Sequence, residues 1–223
     1  MSDAAARTPS EAGEGAGEPR AGTRERDSVE FARVVAFTDG VFAIAMTLLV
    51  LGIDVPPGVE DVGRAIGDEW KDFFAYAISF AVLGRLWISH HQMVGRITRF
   101  DPPMMAINLL YLAFVALLPF TSQVLGDFGD DPAAVVLYAA SIVAVMATYA
   151  WQMVHAYRHG LVAPEMRADA RAAGPGVFAA LVVFAVSMPL ALVSTTVAEL
   201  IWLAAAPFGD PLGRPLARWA MDR

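Results

Sequence analysis

Five long apolar segments limit what this chain can fold into more than any other feature. Each is at least as long as the roughly 20 residues with which an α-helix crosses the hydrocarbon core of a bilayer. They comprise residues 34–53, 73–94, 104–125, 133–157 and 175–206. The last is too long for one span, and Met188-Pro189 and Ser194-Thr195-Thr196 interrupt it, so we expect two short helices joined by a tight turn. The sequence therefore predicts an all-α, polytopic membrane protein with six transmembrane helices.

The composition agrees with this class of protein. Hydrophobic residues make up 57% of the 223 residues, and the mean hydropathy is +0.50, as in integral membrane proteins. Residues 1–30 are polar and lack the apolar core of a signal peptide, so we expect a disordered tail there, a membrane domain over 31–209 and a second tail over 210–223. The absence of cysteine excludes disulfides, thiolate metal sites and a cysteine nucleophile. Nothing in the composition supports nucleic-acid binding.

The basic residues indicate how the spans are oriented. The segments between spans 1 and 2, 3 and 4, and 5 and 6 contain only Arg64 and Lys71, and Arg85 lies within span 2. All other basic residues lie in the termini or in the two remaining loops. Because Arg and Lys are enriched in cytoplasmic loops, both termini are predicted to be cytoplasmic, which requires an even number of spans. The external loops would carry acids that concentrate cations, namely Asp54, Glu60, Asp61, Asp127, Asp130 and Asp131.

Span 1 contains a single charge, Asp39, between Arg33 and its far end. Asp39 projects about 140° away from a stripe of mainly apolar side chains on the same helix. That stripe consists of Arg33, Phe37, Ile44, Leu48 and Leu51. A charge at this depth costs at least a few kcal/mol, so we expect Asp39 to point into protein and to meet donors on other helices. The stripe is then free to face a different neighbour.

Polar residues near the cytoplasmic ends of spans 2 and 3 lie at the depth of Thr38 and Asp39. The candidate donors to Asp39 are Trp87, Ser89, His90, His91 and Asn108. They are interpreted either as polar contacts that hold the helices together or as members of a proton relay. A metal site is disfavoured, because adjacent His90 and His91 lie about 100° apart on a helix, whereas metal ligands favour a spacing of four.

Ordinary packing is an alternative for the other candidates. The aliphatic side chains of the stripe could face lipid or a neighbouring helix, and the Thr47 hydroxyl could bond to a carbonyl one turn back. Arg33 could serve as an interfacial anchor. Arg85 and Glu199, in spans 2 and 6, each need a partner or a wet cavity. The sequence leaves open whether these two residues pair.

The segment Arg33-x-x-x-Phe37-Thr38-Asp39, followed by GVFAIAMTLLVL, resembles the first-helix signature of the transmembrane protein 175 family of potassium channels. The family pattern is RxxxFSD, and Thr38 keeps the hydroxyl of the usual Ser. Further segments resemble the second and third spans of the family, namely Trp87-x-x-His90-His91, Asp101, Asn108-Leu109-Leu110 and Pro119-Phe120-Thr121. The resemblance covers about residues 33 to 125 and does not include Arg85 or Glu199.

The resemblance implies a homotetramer of six-helix subunits in which four copies of helix 1 line a pore without a TVGYG filter. By position, Ile44 matches the narrowest hydrophobic constriction, and Leu48 and Leu51 match apolar rings beyond it. Thr47 matches a hydroxyl layer linked to potassium selectivity. The residues that match the structural signature and its polar network are Arg33, Phe37, Thr38, Asp39, Trp87, His90, His91 and Asn108.

The sequence thus predicts a potassium-selective or potassium-preferring channel, a multi-pass protein of the cell membrane. It predicts no enzymatic activity and no cofactor besides the permeant potassium ion; the partners are copies of itself, the lipid bilayer and monovalent cations. The alternative is a proton-linked carrier or proton leak that uses Asp39 and His90 or His91. An intramembrane hydrolase using Asp39 with His91 or Glu199 is disfavoured, because no nucleophile motif or metal spacing accompanies the acids.

Overall fold

The computed structural model describes residues 21–53, 63, 67 and 70–202. These residues form a helical bundle, in which one isolated antiparallel bridge, Ile97 to Val162, is the only strand-like pairing of the described part. Short 3-10 turns follow α1 and precede α5, at Leu49–Gly52 and Pro164–Met166. The five long helices are α1 (Ala21–Leu48), α2 (Trp70–Val94), α3 (Pro102–Phe128), α4 (Pro132–Arg158) and α5 (Arg167–Ala191).

Four helical stretches of the described residues are long and apolar enough to cross a membrane. They are Ser28–Gly52, Trp70–Val94, Pro102–Phe128 and Pro132–Arg158. The mainly helical fold and these four spans match the prediction. A shorter apolar helix covers Val177–Ala191, the chain turns at 192–194, and a helix resumes over 195–202. The fifth and sixth spans and the cytoplasmic location of both termini stay predictions.

Helix α1 begins at Ala21, before the predicted start of the membrane domain at residue 31. This segment is polar but contains charged residues of good helix propensity. A helix that is already formed also extends without a new nucleation step. The remainder of the predicted N-terminal tail, residues 1–20, and the predicted C-terminal tail, 210–223, lie outside the described residues.

The loop between α2 and α3 and the loop between α3 and α4 each end in a carboxylate that caps the following helix. The Asp101 side chain accepts a hydrogen bond of 2.8 Å from the Met104 N–H at the start of α3. Asp131 does the same for the Ala133 N–H at the start of α4, also at 2.8 Å. Proline follows each cap, where its missing N–H costs nothing. These short connections place α2, α3 and α4 as antiparallel neighbours.

Helix α3 contacts α1, α2 and α4, while α5 packs against α4. A buried hydroxyl chain joins the three middle helices. Tyr138 donates to Ser79 Oγ (2.9 Å), which donates to Ser122 Oγ (2.8 Å). The 195–202 helix is held by Trp202, whose Nε1 donates to Ser187 Oγ at 2.8 Å. The centre of the bundle therefore lies on α3 and α4, and α1 lies at its side.

Candidate functional site

Helix α1 and the 3-10 turn that continues it share a buried face that packs against α2 and α3. The buried side chains are Thr38, Phe42, Ala45 and Leu49, at the spacing of four, three and four residues that defines one side of a helix. The Phe42 ring lies 5.9 Å from that of Tyr111 on α3 and 6.3 Å from that of His90 on α2. These contacts fix which side of α1 faces the core of the bundle.

Asp39 lies beside this buried face and is bound by Trp87. The indole Nε1 of Trp87 donates to Asp39 Oδ1 at 2.9 Å. The same indole stacks on the His91 ring, with a centroid distance of 5.5 Å. Of the donors that the sequence suggested for Asp39, the structure therefore assigns Trp87, while His91 supports the indole from one turn further along α2.

Thr38, Asn108 and His90 form a separate buried chain across three helices. The Asn108 Nδ2 donates to Thr38 Oγ1 at 3.0 Å, and Thr38 donates to the Val34 carbonyl at 2.9 Å. His90 Nε2 lies 3.2 Å from Asn108 Oδ1; because that amide oxygen can only accept, the Nε2 of His90 carries the hydrogen. All three side chains are at most 2% exposed. Their bonds satisfy groups that would otherwise be buried without partners, at about 1–3 kcal/mol each.

The opposite face of α1 is uncovered in the single chain. The exposed fractions are 56% for Phe37, 61% for Ile44, 43% for Leu48 and 72% for Leu51. Arg33 and Thr47 are exposed on the same side. The Thr47 hydroxyl donates to the Ile44 carbonyl at 2.8 Å, so the local bond considered for this residue is present. The stripe of the sequence analysis thus points away from the core of the bundle.

Arg85 and Glu199 lie in different parts of the bundle. Arg85 Nη1 donates to Ser89 Oγ at 2.6 Å, within α2. Glu199 lines a cavity with Trp70 at the other end of α2. From Trp70 to Trp87, the partner of Asp39, α2 rises about 25 Å at 1.5 Å per residue. This separation is too great for a hydrolytic site that combines Asp39 with Glu199.

One cluster was missed by the sequence analysis. The carboxylate of Asp101 lies with both oxygens 3.0 Å from His155 Nε2 at the end of α4. The rings of His155 and His159 stack with centroids 4.1 Å apart. Burial raises the pKa of Asp101, but the hydrogen bonds from Met104 and His155 outweigh it, so that the pKa falls below its usual 3.8. The histidines are four residues apart in the sequence, yet nothing local indicates that they meet Asp101.

The family described as "Endosomal/lysosomal potassium channel TMEM175" matches residues 33–119. A potassium channel of Streptomyces collinus is 42% identical over 127 residues, which cover 55% of this chain and 62% of that protein. The "Endosomal/lysosomal proton channel TMEM175" of Bos taurus is 42% identical over 110 residues, which cover 45% of this chain and 23% of that one. The matched part thus spans less than two thirds of each of these relatives.

The fold is also similar to a solved structure. The crystal structure of "a lysosomal potassium-selective channel TMEM175 homolog" from Chamaesiphon minutus has a TM-score of 0.66 and 30% sequence identity. The alignment covers 81% of this chain and 96% of that structure. The chain belongs to the TMEM175 family.

Proposed function

We propose that this protein is a potassium-selective or potassium-preferring channel of the cell membrane. Four six-helix subunits, with both termini in the cytoplasm, would surround a pore lined by α1. The observation that carries this proposal is the division of α1 into two faces. One face is bound to α2 and α3, and the other exposes apolar side chains over the length of the helix.

The exposed stripe has the chemistry of a hydrophobic constriction. Four copies of Ile44 around an axis would form a ring that gates by excluding water, and Leu48 and Leu51 would form further rings about 6 and 10 Å along the helix. The sequence contains no TVGYG segment, so the pore would have no carbonyl filter of that type. Ions that pass such rings must shed or distort their hydration shells.

Thr47 is the residue we propose for potassium preference. Its hydroxyl hydrogen is engaged with the Ile44 carbonyl. The oxygen therefore has its remaining lone pairs available as acceptors, which is the polarity that a cation requires. Its exposed position beside the stripe would place four such oxygens next to the constriction.

The polar contacts of Thr38 and Asp39 would keep the stripe aimed at the axis. A pore helix that rotated by one residue, about 100°, would present different side chains to the ions. Asp39 is bound by Trp87 on α2, and Thr38 is bound by Asn108 on α3. Two bonds to two different helices oppose such a rotation. Their role in this proposal is structural.

The reversal potential of the purified protein in a planar bilayer, with potassium on one side and sodium on the other, tests the proposal. We expect a steady conductance that reverses near the potassium equilibrium potential. The Ile88→Asn variant, which changes an exposed isoleucine of α2, serves as a control and should behave like the parent protein. Folded protein without conductance, or with equal permeability to both ions, would contradict the assignment.

A second candidate is a proton-linked carrier or a proton leak. It is favoured by the vertebrate relatives described as proton channels and by the buried chain from Thr38 through Asn108 to His90. In symmetric potassium chloride with a pH difference, proton transport would give a current that reverses near the proton equilibrium potential. That current would be lost in Asp39→Asn protein that remains folded. A current whose reversal potential does not depend on the pH difference would exclude this candidate.

A further inference from the structure

A cavity of about 180 Å³ lies where α2 begins, α3 ends and the 195–202 helix passes. The predicted topology places this end of the bundle outside the cell. The lining combines three kinds of side chain: aromatic rings on α2, hydroxyls on the 195–202 helix and charged groups from all three elements. None of its described lining residues belongs to α1, and the proposed pore does not account for it.

One wall of the cavity is aromatic. Trp70 and Phe74 stand one helical turn apart on α2, with ring centroids 6.3 Å apart and planes inclined by 56°. Trp70 is 59% exposed, so part of its indole surface is accessible. The faces of aromatic rings carry partial negative charge and attract cations, most strongly those that are weakly hydrated.

The lining also includes a carboxylate that forms no ion pair among the described residues. Glu199 is partly buried, and among the described residues it has no hydrogen bond or ion pair. Lys71 is engaged with Asp130 at the rim of the same cavity. The three ionisable groups therefore have a formal charge of −1 when all are ionised. A carboxylate in such a position requires a cationic partner.

The end of α3 adds to the negative potential. A Cβ atom placed on Gly129, directly after α3, would lie 3.7 Å from Glu199 Oε1, so this carboxylate lies beside the C-terminus of that helix. The last carbonyls of a helix carry partial negative charge and favour cations. The aromatic rings, the free carboxylate and the helix C-terminus therefore all favour a positive charge in the cavity.

We propose that this cavity binds a small organic ammonium ion of single positive charge, placed between the Glu199 carboxylate and the Trp70–Phe74 wall. The aromatic wall favours an organic cation over a hydrated metal ion. A cavity of about 150 Å³ accommodates benzene, so the volume suffices for a quaternary ammonium group. The site does not depend on the proposed channel function and binds its ligand whether or not ions pass through the protein.

Calorimetric titration of the purified full chain with tetramethylammonium chloride tests the site. We expect saturable binding of one ion per chain, and no comparable heat from sodium chloride at the same concentration. Glu199→Gln should weaken binding at least about tenfold, as expected when a charged partner is lost. Glu165→Gln, which changes an acid on a distant turn, should leave it unchanged. Absence of saturable binding, or equal binding by the Glu199→Gln protein, would overturn the proposal.

A second pair of variants tests the aromatic wall without changing the partly buried carboxylate. Trp70→Leu should weaken binding roughly 2- to 5-fold, the size of a partly exposed cation–π contact. Trp151→Leu is the matched control, because Trp151 is 54% exposed on α4 and does not line the cavity. Both exposed tryptophans can be replaced with little effect on folding, which thermal melting verifies. An equal loss in both variants would indicate general adsorption to aromatic surface and would contradict a defined site.

Discussion

The hydrogen bond between Trp87 and Asp39 ties α1 to α2 through one donor and one acceptor. Trp87→Phe keeps an aromatic ring for stacking on His91 and removes the Nε1 donor. We expect the free energy of unfolding to fall by about 1–3 kcal/mol, because a partly buried carboxylate loses its partner. Thermal melting in detergent measures this. Trp151→Phe on the exposed side of α4 is the control, and an equal effect of both changes would contradict a specific role for the bond.

Thr38 permits a matched test of the second polar contact. Thr38→Val keeps the shape of the side chain but leaves the Asn108 amide without its acceptor, so we expect a loss of about 1–3 kcal/mol. Thr38→Ser keeps the hydroxyl and removes one methyl group, which costs about 0.8 kcal/mol. In chemical unfolding, the free energy of unfolding should be lower for the Thr38→Val protein than for the Thr38→Ser protein. The reverse order would show that packing of the methyl group matters more than the hydrogen bond.

Asp101 makes part of the stability depend on pH. Its carboxylate is bound by Met104 and His155, and its pKa is lower in the folded protein than the usual 3.8. The charged form is therefore favoured by folding. Its contribution is complete well above the usual pKa of 3.8 and is lost progressively as the pH falls through the lower pKa of the folded protein. Asp101→Asn keeps an acceptor for the helix cap and removes this titration.

Melting temperatures of the parent and Asp101→Asn proteins, measured from pH 7 downward, test this dependence. The parent should be the more stable at pH 7, and the difference should shrink in the acidic range. Asp127→Asn controls for the loss of a carboxylate elsewhere. A difference that stays constant with pH would contradict the assignment to Asp101.

Sequence patterns predicted some of these contacts and not others. A lone acid in an apolar helix requires a donor on a neighbouring helix, so the need of Asp39 for a partner was predictable. The identity of the donor, Trp87 instead of Asn108, was not predictable, because it depends on the rotation of α2 and α3 about their axes. Asp101 and His155 are 54 residues apart, and no local pattern links residues at such a separation.

Among the helices, the first and last residues of α2, α3 and α4 agree with the limits of the predicted apolar segments. Pro102 and Pro132 mark the starts of α3 and α4, and the length of the apolar segments indicates the other limits. The start of α1 was not predicted, because its first turns are polar and apolar periodicity does not detect them. The turn after Ala191 was expected near Pro189 and Ser194. Pro189 itself lies within the last turn of α5.

The apolar stripe of α1 supplies a prediction for conduction. Ile44→Asn would place four amides at the proposed constriction and allow water to remain there, which lowers the barrier to ions. We expect the conductance to rise several-fold and the reversal potential in the potassium–sodium gradient to move toward zero. Ile88→Asn on α2 should change neither quantity. Unchanged currents in the Ile44→Asn protein would remove Ile44 from the pore.

The proposed channel would require more than one copy of the chain. Within one subunit, the exposed face of α1 is an apolar surface that runs from Phe37 to Leu51, and a continuous surface of this kind marks a contact with lipid or with protein. A single copy of this stripe cannot enclose a path for ions. Four copies that meet at an axis would bring identical residues of adjacent subunits close together.

The absence of cysteine from the sequence makes this arrangement measurable. Leu51 is 72% exposed on the stripe, and a single cysteine at this position should form disulfide-linked dimers upon mild oxidation. A disulfide requires a distance of 4.4–6.8 Å between the two Cα atoms, and neighbouring copies at the axis would lie within this distance or reach it through small motions. Val186→Cys, at an exposed position of α5, should remain monomeric on a denaturing gel. Equal dimer formation by both variants would indicate random collision, and none in the Leu51→Cys protein would place this face of α1 against lipid.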